Sequence, residues 1–257
     1  MPAVLRRKIE LRRARTLSCS EPMKLPDVMA TLEAKGSATI KKILMRHGAK
    51  EPFFGVKVGD MKPIAKKLKG EHQLALELFA TGNGDAQYLA GMVASGALMS
   101  RKEIQSWADH ASWRMVSAWT VPWVASEHAA GWELALKWID SKKEHLAISG
   151  WATLAAWVTT HDDAALDLKT LEALLARVAN TIHTAPNQVR VQMNYFLIAV
   201  GTYVAPLGAK AIATARKVGH VDVDVGDTDC KIPDAETYIM KARRGAPIAP
   251  KRKTVRC

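Results

Sequence analysis

The chain has 257 residues, 48% of them hydrophobic and 24% charged, and a net charge of +12. This composition excludes a wholly disordered chain, and no run of eighteen apolar residues free of charge indicates a membrane-spanning helix. Cys19, Cys230 and Cys257 are too few and too scattered for a disulfide framework or a zinc site. We therefore expect a protein of a reducing compartment, the cytoplasm, with no metal and no cofactor.

The positive charge is concentrated at the two ends of the chain. Residues 1–15 carry +5 and residues 241–257 carry +7, which leaves 24 basic and 24 acidic residues between them. Such termini either grip phosphates without regard to sequence or remain solvated ends that oppose aggregation. Charge alone leaves both readings open.

Three segments follow from this distribution. Residues 1–22 form a basic extension without the apolar run of a secretory signal, and a natural translation start at Met23 is favoured over a mitochondrial-type presequence. Residues 23–240 form the helical domain, and residues 241–257 form a basic tail.

From about residue 27 the chain is a succession of helical patterns. Val189, Met193, Phe196 and Val200 recur at helical spacing, and turn residues interrupt the pattern every 12–18 residues. Eleven or twelve short helices with short links and no intervening strands predict antiparallel helix pairs stacked in an α-solenoid. A compact irregular helical bundle is the alternative.

Four positions mark expected helix boundaries. Ser100, Asp162 and Asn187 are predicted N-caps, because their side chains can accept a hydrogen bond from the first turn. Pro122 is predicted to end or kink the helix that begins near Ser112, because proline has no amide hydrogen.

All eight tryptophans fall between Trp107 and Trp157. Each one alone is more simply a core residue. The cluster as a whole predicts at least one indole exposed in a groove, where it would stack on a base, a sugar or a cationic ligand.

A second pattern lies at residues 53–67, where two aromatic residues precede a glycine and a lysine-rich helix. Asp60 can cap that helix, and its lysines lie near an N-terminus whose free amides attract anions. The pattern is consistent with a phosphate-contacting edge or with an ordinary solvated face. The candidate DNA-contacting residues here are Phe54, Lys57, Lys62, Lys66 and Lys67.

The sequences Phe-Phe-Gly-Val-Lys-Val at 53–58, Asp-Ala-Gln-Tyr-Leu-Ala at 85–90 and Ser-Trp-Arg-Met-Val-Ser at 112–117 resemble motifs of the AlkD-like DNA alkylation repair proteins. The resemblance covers roughly residues 23–240. It implies a curved all-α solenoid of HEAT-like repeats whose basic concave face holds double-stranded DNA as a monomer. It also implies excision of N3- or N7-alkylated purines without flipping the base.

The same comparison exposes departures from the family pattern. Ser117 stands where the family has a catalytic aspartate, and Arg114 replaces another acid, so neither can stabilise the cation that forms as the glycosidic bond breaks. Trp113 matches an aromatic residue that contacts the deoxyribose of the lesion. Tyr195 or Phe196 would replace a second tryptophan, and Arg190 and Arg114 are further candidates for DNA contact.

Two acidic features remain. Asp85 and Asp109 are the candidates for a relocated catalytic acid, although both can simply cap or solvate helices. The run 222–234 alternates apolar and acidic residues, so its valines are expected to face the last helices and its aspartates the solvent. It either covers the end of the solenoid and pairs with the basic tail or, less simply, binds a hard cation, although its spacing fails the EF-hand pattern.

Three functions therefore compete. The first is an alkylpurine DNA glycosylase. The second is a protein that recognises distorted or branched DNA without catalysis, which Ser117 and Arg114 favour. The third is a protein-interaction scaffold, since the body of the chain is formally neutral.

Overall fold

The computed structural model describes residues 23–226 and 228–256. Within these residues the chain forms thirteen α-helices and no β-strand. The helices are α1 Leu25–Ala34, α2 Ala38–Arg46, α3 Val58–Lys67, α4 His72–Ala80, α5 Gly84–Val93, α6 Arg101–Asp109, α7 Val121–Ala125, α8 Gly131–Trp138, α9 Glu144–Thr160, α10 Leu168–Thr181, α11 Asn187–Tyr203, α12 Gly208–Val218 and α13 Ala235–Arg243. The predicted α-solenoid is confirmed.

A row of inner helices runs through the molecule. Helix α5 contacts residues 116–125, which include α7. These residues contact α9, and α9 packs along α11. Outer helices cover this row, with α4 on α5, α8 on α9 and α12 on α11. Stacked helix pairs of this kind bury a continuous core that no single pair could bury alone.

The core has two parts that meet near α8. The N-terminal part surrounds Trp107 and Trp123, and the C-terminal part surrounds Trp151 and Phe196, whose rings lie 5.2 Å apart. Four of the eight tryptophans are buried, namely Trp107, Trp123, Trp138 and Trp151, as the simpler interpretation of each one predicts.

The helix boundaries agree with the sequence in part. Ser100 caps α6 as predicted, with its hydroxyl accepting from the Glu103 amide. Asp162 occupies the N-cap position of the short 3-10 helix Asp163–Ala165, although its side chain makes no capping bond, and Asp167 caps α10. The predicted cap at Asn187 is wrong, because Asn187 is the first residue of α11 and its side chain bonds to the backbone of Asp224. Asp60 is not a cap either. Helix α3 already begins at Val58, so Asp60 lies within the first turn.

Pro122 does not end its helix, which continues to Ala125, but it follows an irregular helical turn. Residues Val116–Thr120 form a π-helical turn, and the Val121 amide donates to the Val116 carbonyl across five residues. Because Pro122 has no amide hydrogen, it cannot bond to the carbonyl four residues earlier, and the wider turn accommodates this loss. Trp119 lies in this turn with 43% of its surface exposed.

The basic C-terminus packs against the solenoid. We call residues 244–256 the C-terminal strap. The amides of Ala249 and Arg252 donate to the carbonyls of Thr202 and Thr159, at the ends of α11 and α9. The strap then reaches α5, where the Arg256 guanidinium donates to the Gly91 carbonyl and to the Glu127 carboxylate.

No single described helix is long and apolar enough to cross a membrane. Helix α11 passes such a test only together with Ala205–Val218, across a bend of 110°. Both segments contribute buried side chains to the C-terminal part of the core.

Candidate nucleic-acid interface

A cleft of about 720 Å³ lies at the end of α2 and the beginnings of α9 and α11. We call it the central cleft. Five parts of the chain form its walls, namely residues 46–50, residues 111–119, residues 144–148 of α9, residues 187–195 of α11, and residues 223–232. The loop at 223–232 closes one side, where Gly226 lies close to the Arg46 carbonyl. The cleft therefore joins five segments that are far apart in sequence.

The charged groups of the central cleft are mainly basic. Arg46, Lys50, Arg114 and Lys231 line it, against the acids Glu144 and Asp224. Glu144 accepts a hydrogen bond of 3.0 Å from the Gln188 amide, at the N-terminus of α11. Asp224 accepts one of 2.8 Å from the Gly226 amide. Both carboxylates thus already bind backbone amides, and the balance of charge favours an anionic ligand.

Arg114 is the most informative of these cations. Its Nε donates to the His47 carbonyl at 2.7 Å, and no carboxylate among the described residues pairs with its guanidinium. Burial lowers the pKa of Arg114, and the neighbouring Cys230 and Tyr195 only partly oppose this effect. An arginine stays protonated even so. The cleft therefore holds a partly desolvated cation that lacks a counter-ion.

Aromatic rings lie beside this cation. Trp113 and Trp119 line the central cleft from one side and Tyr195 from the other. Exposure of Trp119 confirms the prediction that at least one indole of the cluster faces a groove. Rings beside a cation suit a nucleic acid, because bases stack on the rings while phosphates pair with the cation.

Three polar atoms in the wall have no hydrogen-bond partner within the described chain. They are His47 Nδ1, Ser112 Oγ and His145 Nε2. Burial lowers the pKa of both histidines, helped by Arg114 near His47 and by Lys143 near His145. Both rings are therefore mainly neutral at pH 7. Buried polar groups without partners are uncommon, so these atoms indicate a ligand or ordered water.

The position to which the resemblance assigns the family's catalytic aspartate is closed to the cleft. Ser117 is completely buried, does not line the cleft, and its hydroxyl hydrogen-bonds only to the Trp113 carbonyl at 3.4 Å.

Neither candidate for a relocated catalytic acid lines the cleft. Asp85 is buried and accepts from the amides of Phe54, Gly55 and Val56 at 2.6–3.2 Å. Asp109 accepts from the Gln105 side chain.

Two predicted DNA contacts have structural roles instead. Phe196 is fully buried against Trp151, so it cannot touch a sugar, and of the two aromatic candidates only Tyr195 reaches the cleft. Arg190 donates to the carbonyls of Ala185 and Asp222, so it holds the 222–232 loop against α11.

The candidates at 53–67 lie outside the central cleft. Phe54 packs against the N-terminal core, and Lys57 and Lys67 are exposed elsewhere. Lys62 and Lys66 share a separate groove of about 410 Å³ with Lys69 and Arg256. The lysines of this groove are thus Lys62 and Lys66 of α3 and Lys69 just beyond its C-terminus, and Lys67 is not among them.

The acidic segment is extended along α11. Val221 is buried and Val223 packs against the core, whereas Asp222 and Asp224 are exposed, as the alternation predicts. The segment is tied to α11 through Asn187, and the described part of the chain holds no cluster of three side chains able to bind a metal ion.

Comparison with known proteins agrees with this architecture. A solved structure with a TM-score of 0.82 and 38% identity covers 91% of this chain and 100% of its own. It belongs to a family described as related to the HEAT-like repeat DNA glycosylases, with affinity for branched DNA structures. The present fold is therefore that of the HEAT-like repeat DNA glycosylases.

The family follows from the sequence match. The model of the DNA alkylation repair enzyme family matches residues 28–221, and this chain belongs to that family. The uncharacterized protein Lin0241 of Listeria innocua is 33% identical, and Lmo0209 of Listeria monocytogenes is 31% identical. Each match covers 82% of this chain and 94% of the relative.

Sequence reasoning missed several residues of the cleft. His47, His145 and Gln192 line it, and none belongs to a recognisable motif. Ser112 lines it as well and is the first residue of the 112–117 motif, but the motif gave it no role. Trp119 carried a signal in the tryptophan cluster, but nothing in the sequence separates it from the buried indoles. Its exposure depends on the π-helical turn.

Proposed function

We propose that this protein binds double-stranded DNA at a branch or distortion and does not excise a base. One observation carries the proposal. The central cleft combines an unpaired, partly buried Arg114 with the rings of Trp113 and Tyr195, while the position of the family aspartate is a sealed serine. The first two features suit a nucleic acid, and the third removes the anion that excision needs.

The relationship to the solved structure supports the choice of a branched ligand. That protein has affinity for branched DNA and shares 38% of its residues with this one. A cleft of about 720 Å³ is also far too small to enclose a duplex, but it can receive one or two nucleotides displaced from a helix. We further propose that the protein acts as a monomer, because one chain forms the whole cleft. We also propose that it acts in the cytoplasm.

Binding is tested by fluorescence anisotropy on a three-way junction and a linear duplex of equal length, across a salt series. We expect the junction to bind at least about tenfold more tightly at 0.15 M salt, with steep salt dependence. The assay uses both the full chain and a chain that begins at Met23. Equal affinity for both DNAs would refute structure-specific recognition, and loss of binding on removal of residues 1–22 would assign it to the extension.

Excision is tested separately, by release of base from duplex DNA that contains 7-methylguanine. We expect none. Glu144 is the one glutamate that lines the central cleft among the described residues, so Glu144→Gln is the decisive variant if release occurs. Any release by the wild-type protein would overturn the non-catalytic proposal, and release that disappears in Glu144→Gln would identify Glu144 as the catalytic acid.

A further inference from the structure

A second, smaller cavity lies next to the central cleft. It has a volume of about 190 Å³, and we call it the aromatic slot. The two cavities share Ala118, Trp119, Gln192 and Tyr195 as lining residues, so a ligand in the slot would lie beside one in the cleft. The volume is below the 300–1,000 Å³ of typical drug-sized sites, and it suits a single ring system better than a base pair.

The walls of the slot suit a flat aromatic ligand. Trp119 forms one wall, and of the eight tryptophans, all of which the structure describes, it is the one with more than a third of its surface exposed. Alanines of α9 and α11, including Ala155 and Ala199, form a shallow apolar surface, and Tyr203 stands at the far end. Small side chains leave room for a ring to lie against the indole, an arrangement that stabilises any of the four bases.

Two polar groups complete the slot. The Gln192 amide and the Arg252 guanidinium both line it, and neither side chain has a hydrogen-bond partner among the described residues. The Arg252 amide donates to the Thr159 carbonyl at 2.9 Å, so the C-terminal strap brings this cation to the slot. An amide can bond to the edge of a base, and a guanidinium can pair with the adjoining phosphate.

We propose that the aromatic slot binds one unpaired nucleobase at a DNA branch point, stacked on Trp119 with its phosphate near Arg252. This proposal rests on the proposed function and specifies which part of the DNA enters the protein. Charge favours this ligand over an apolar peptide side chain, because a nucleotide brings a phosphate that can pair with the exposed Arg252 guanidinium and an apolar side chain does not. The lining residues that the two cavities share place the base beside DNA held by Arg114.

The test uses a three-way junction with a single unpaired 2-aminopurine at the branch point, because stacking on an indole quenches its fluorescence. The full-length protein should quench this signal, and Trp119→Ala should abolish the quenching and weaken binding about tenfold. The matched control is Trp132→Ala, since Trp132 is also partly exposed but packs against Trp157 and lines neither cavity. Quenching should survive in this control.

A second variant guards against loss of folding at position 119. Ala155→Phe fills the slot from the opposite wall and leaves Trp119 unchanged. It should also abolish quenching while junction binding stays within about tenfold of the wild type. Circular dichroism spectra would confirm that both variants are folded.

The outcomes separate the two proposals. If the junction does not bind in preference to a linear duplex, the proposed function fails. If the junction binds tightly but 2-aminopurine is not quenched, or is quenched equally by Trp119→Ala, the aromatic slot is not a base site. Replacing the unpaired nucleotide by an abasic one should weaken wild-type binding about tenfold and leave Trp119→Ala unaffected, and an equal loss in both would also refute the slot.

Discussion

Replacement of Arg114 by methionine offers the sharpest test of the central cleft. Methionine keeps a similar length but removes the cation and the 2.7 Å hydrogen bond to the His47 carbonyl. In the free protein two effects oppose each other. Loss of this charge-assisted hydrogen bond costs about 1.5–3 kcal/mol, whereas removal of the charge relieves the desolvation that lowers the pKa of Arg114. Because the two effects partly cancel, we expect the free energy of unfolding to fall by less than about 2 kcal/mol.

The effect on DNA binding should be much clearer. If Arg114 neutralises one phosphate, its loss reduces the slope of log K against log salt by about 0.9. Between 50 and 200 mM salt the ratio of wild-type to variant affinity should then shrink about 3.5-fold. A charge-assisted hydrogen bond adds about 1.5–3 kcal/mol, so the variant should bind about 10- to 100-fold more weakly at low salt.

The assay is an anisotropy titration on the three-way junction at four salt concentrations, with urea unfolding of the same samples. Lys102→Met is the matched control, because it changes the net charge equally at an exposed position on α6 that lines no cavity described above. If both variants have the same slope and affinity, Arg114 does not contact phosphate. If Arg114→Met loses several kcal/mol of stability, the argument for an unpaired cation fails.

Three further variants test other parts of the structure. Asp85→Asn should lower the free energy of unfolding by about 3 kcal/mol in urea titrations, because a side-chain amide cannot accept from all three backbone donors. An unchanged urea concentration at the midpoint of unfolding would contradict this. Arg256→Ala should lower the free energy of unfolding by about 1–2 kcal/mol more than Lys253→Ala, which changes an exposed neighbour, as measured by thermal unfolding. Equal losses in the two variants would show that the Arg256 contacts of the strap do not stabilise the solenoid. Ser117→Asp should lower the free energy of unfolding by more than about 3 kcal/mol, because the new carboxylate would be buried. This variant should release no base from 7-methylguanine DNA, and any excision would show that position 117 can become accessible to DNA.

The fold was largely predictable because periodicity records which side of each helix is buried. The apolar stripe from Val189 to Val200 follows the buried face of α11, and short links force consecutive helices to pack together. Boundaries were less predictable. Asn187 satisfies the rule for an N-cap, but a strand-like loop 37 residues away binds its side chain instead.

The site was predictable where it lay close to a recognisable motif. Trp113, Arg114 and Tyr195 do line the central cleft, whereas Phe196, the residue next to Tyr195, is buried in the core. Neighbouring residues on a helix point about 100° apart, so a one-residue ambiguity in the motif decides between cleft and core. No local pattern could indicate that residues 46–50 and 223–232 meet across the cleft.

The basic residues at the C-terminus have a different role in the structure from the one that the sequence suggests. By sequence, residues 241–257 are a basic tail available to phosphates. In the structure Arg243, Lys251 and Arg256 donate to the carbonyls of Gly201, Val158 and Gly91, near the C-terminal ends of α11, α9 and α5. Cations stabilise such helix ends, because the last carbonyls have no partner within the helix.

These contacts decide which cations remain for DNA. Lys251 also pairs with Asp163, and Arg256 with Glu127, so both are neutralised by the protein itself. Arg252 faces the aromatic slot and Arg114 the central cleft, each without an acidic partner among the described residues. The net charge of +12 therefore overstates the cations available to DNA, because Lys251 and Arg256 already pair with acids of the protein itself. It follows that two proteins of this family with equal net charge need not bind DNA equally well.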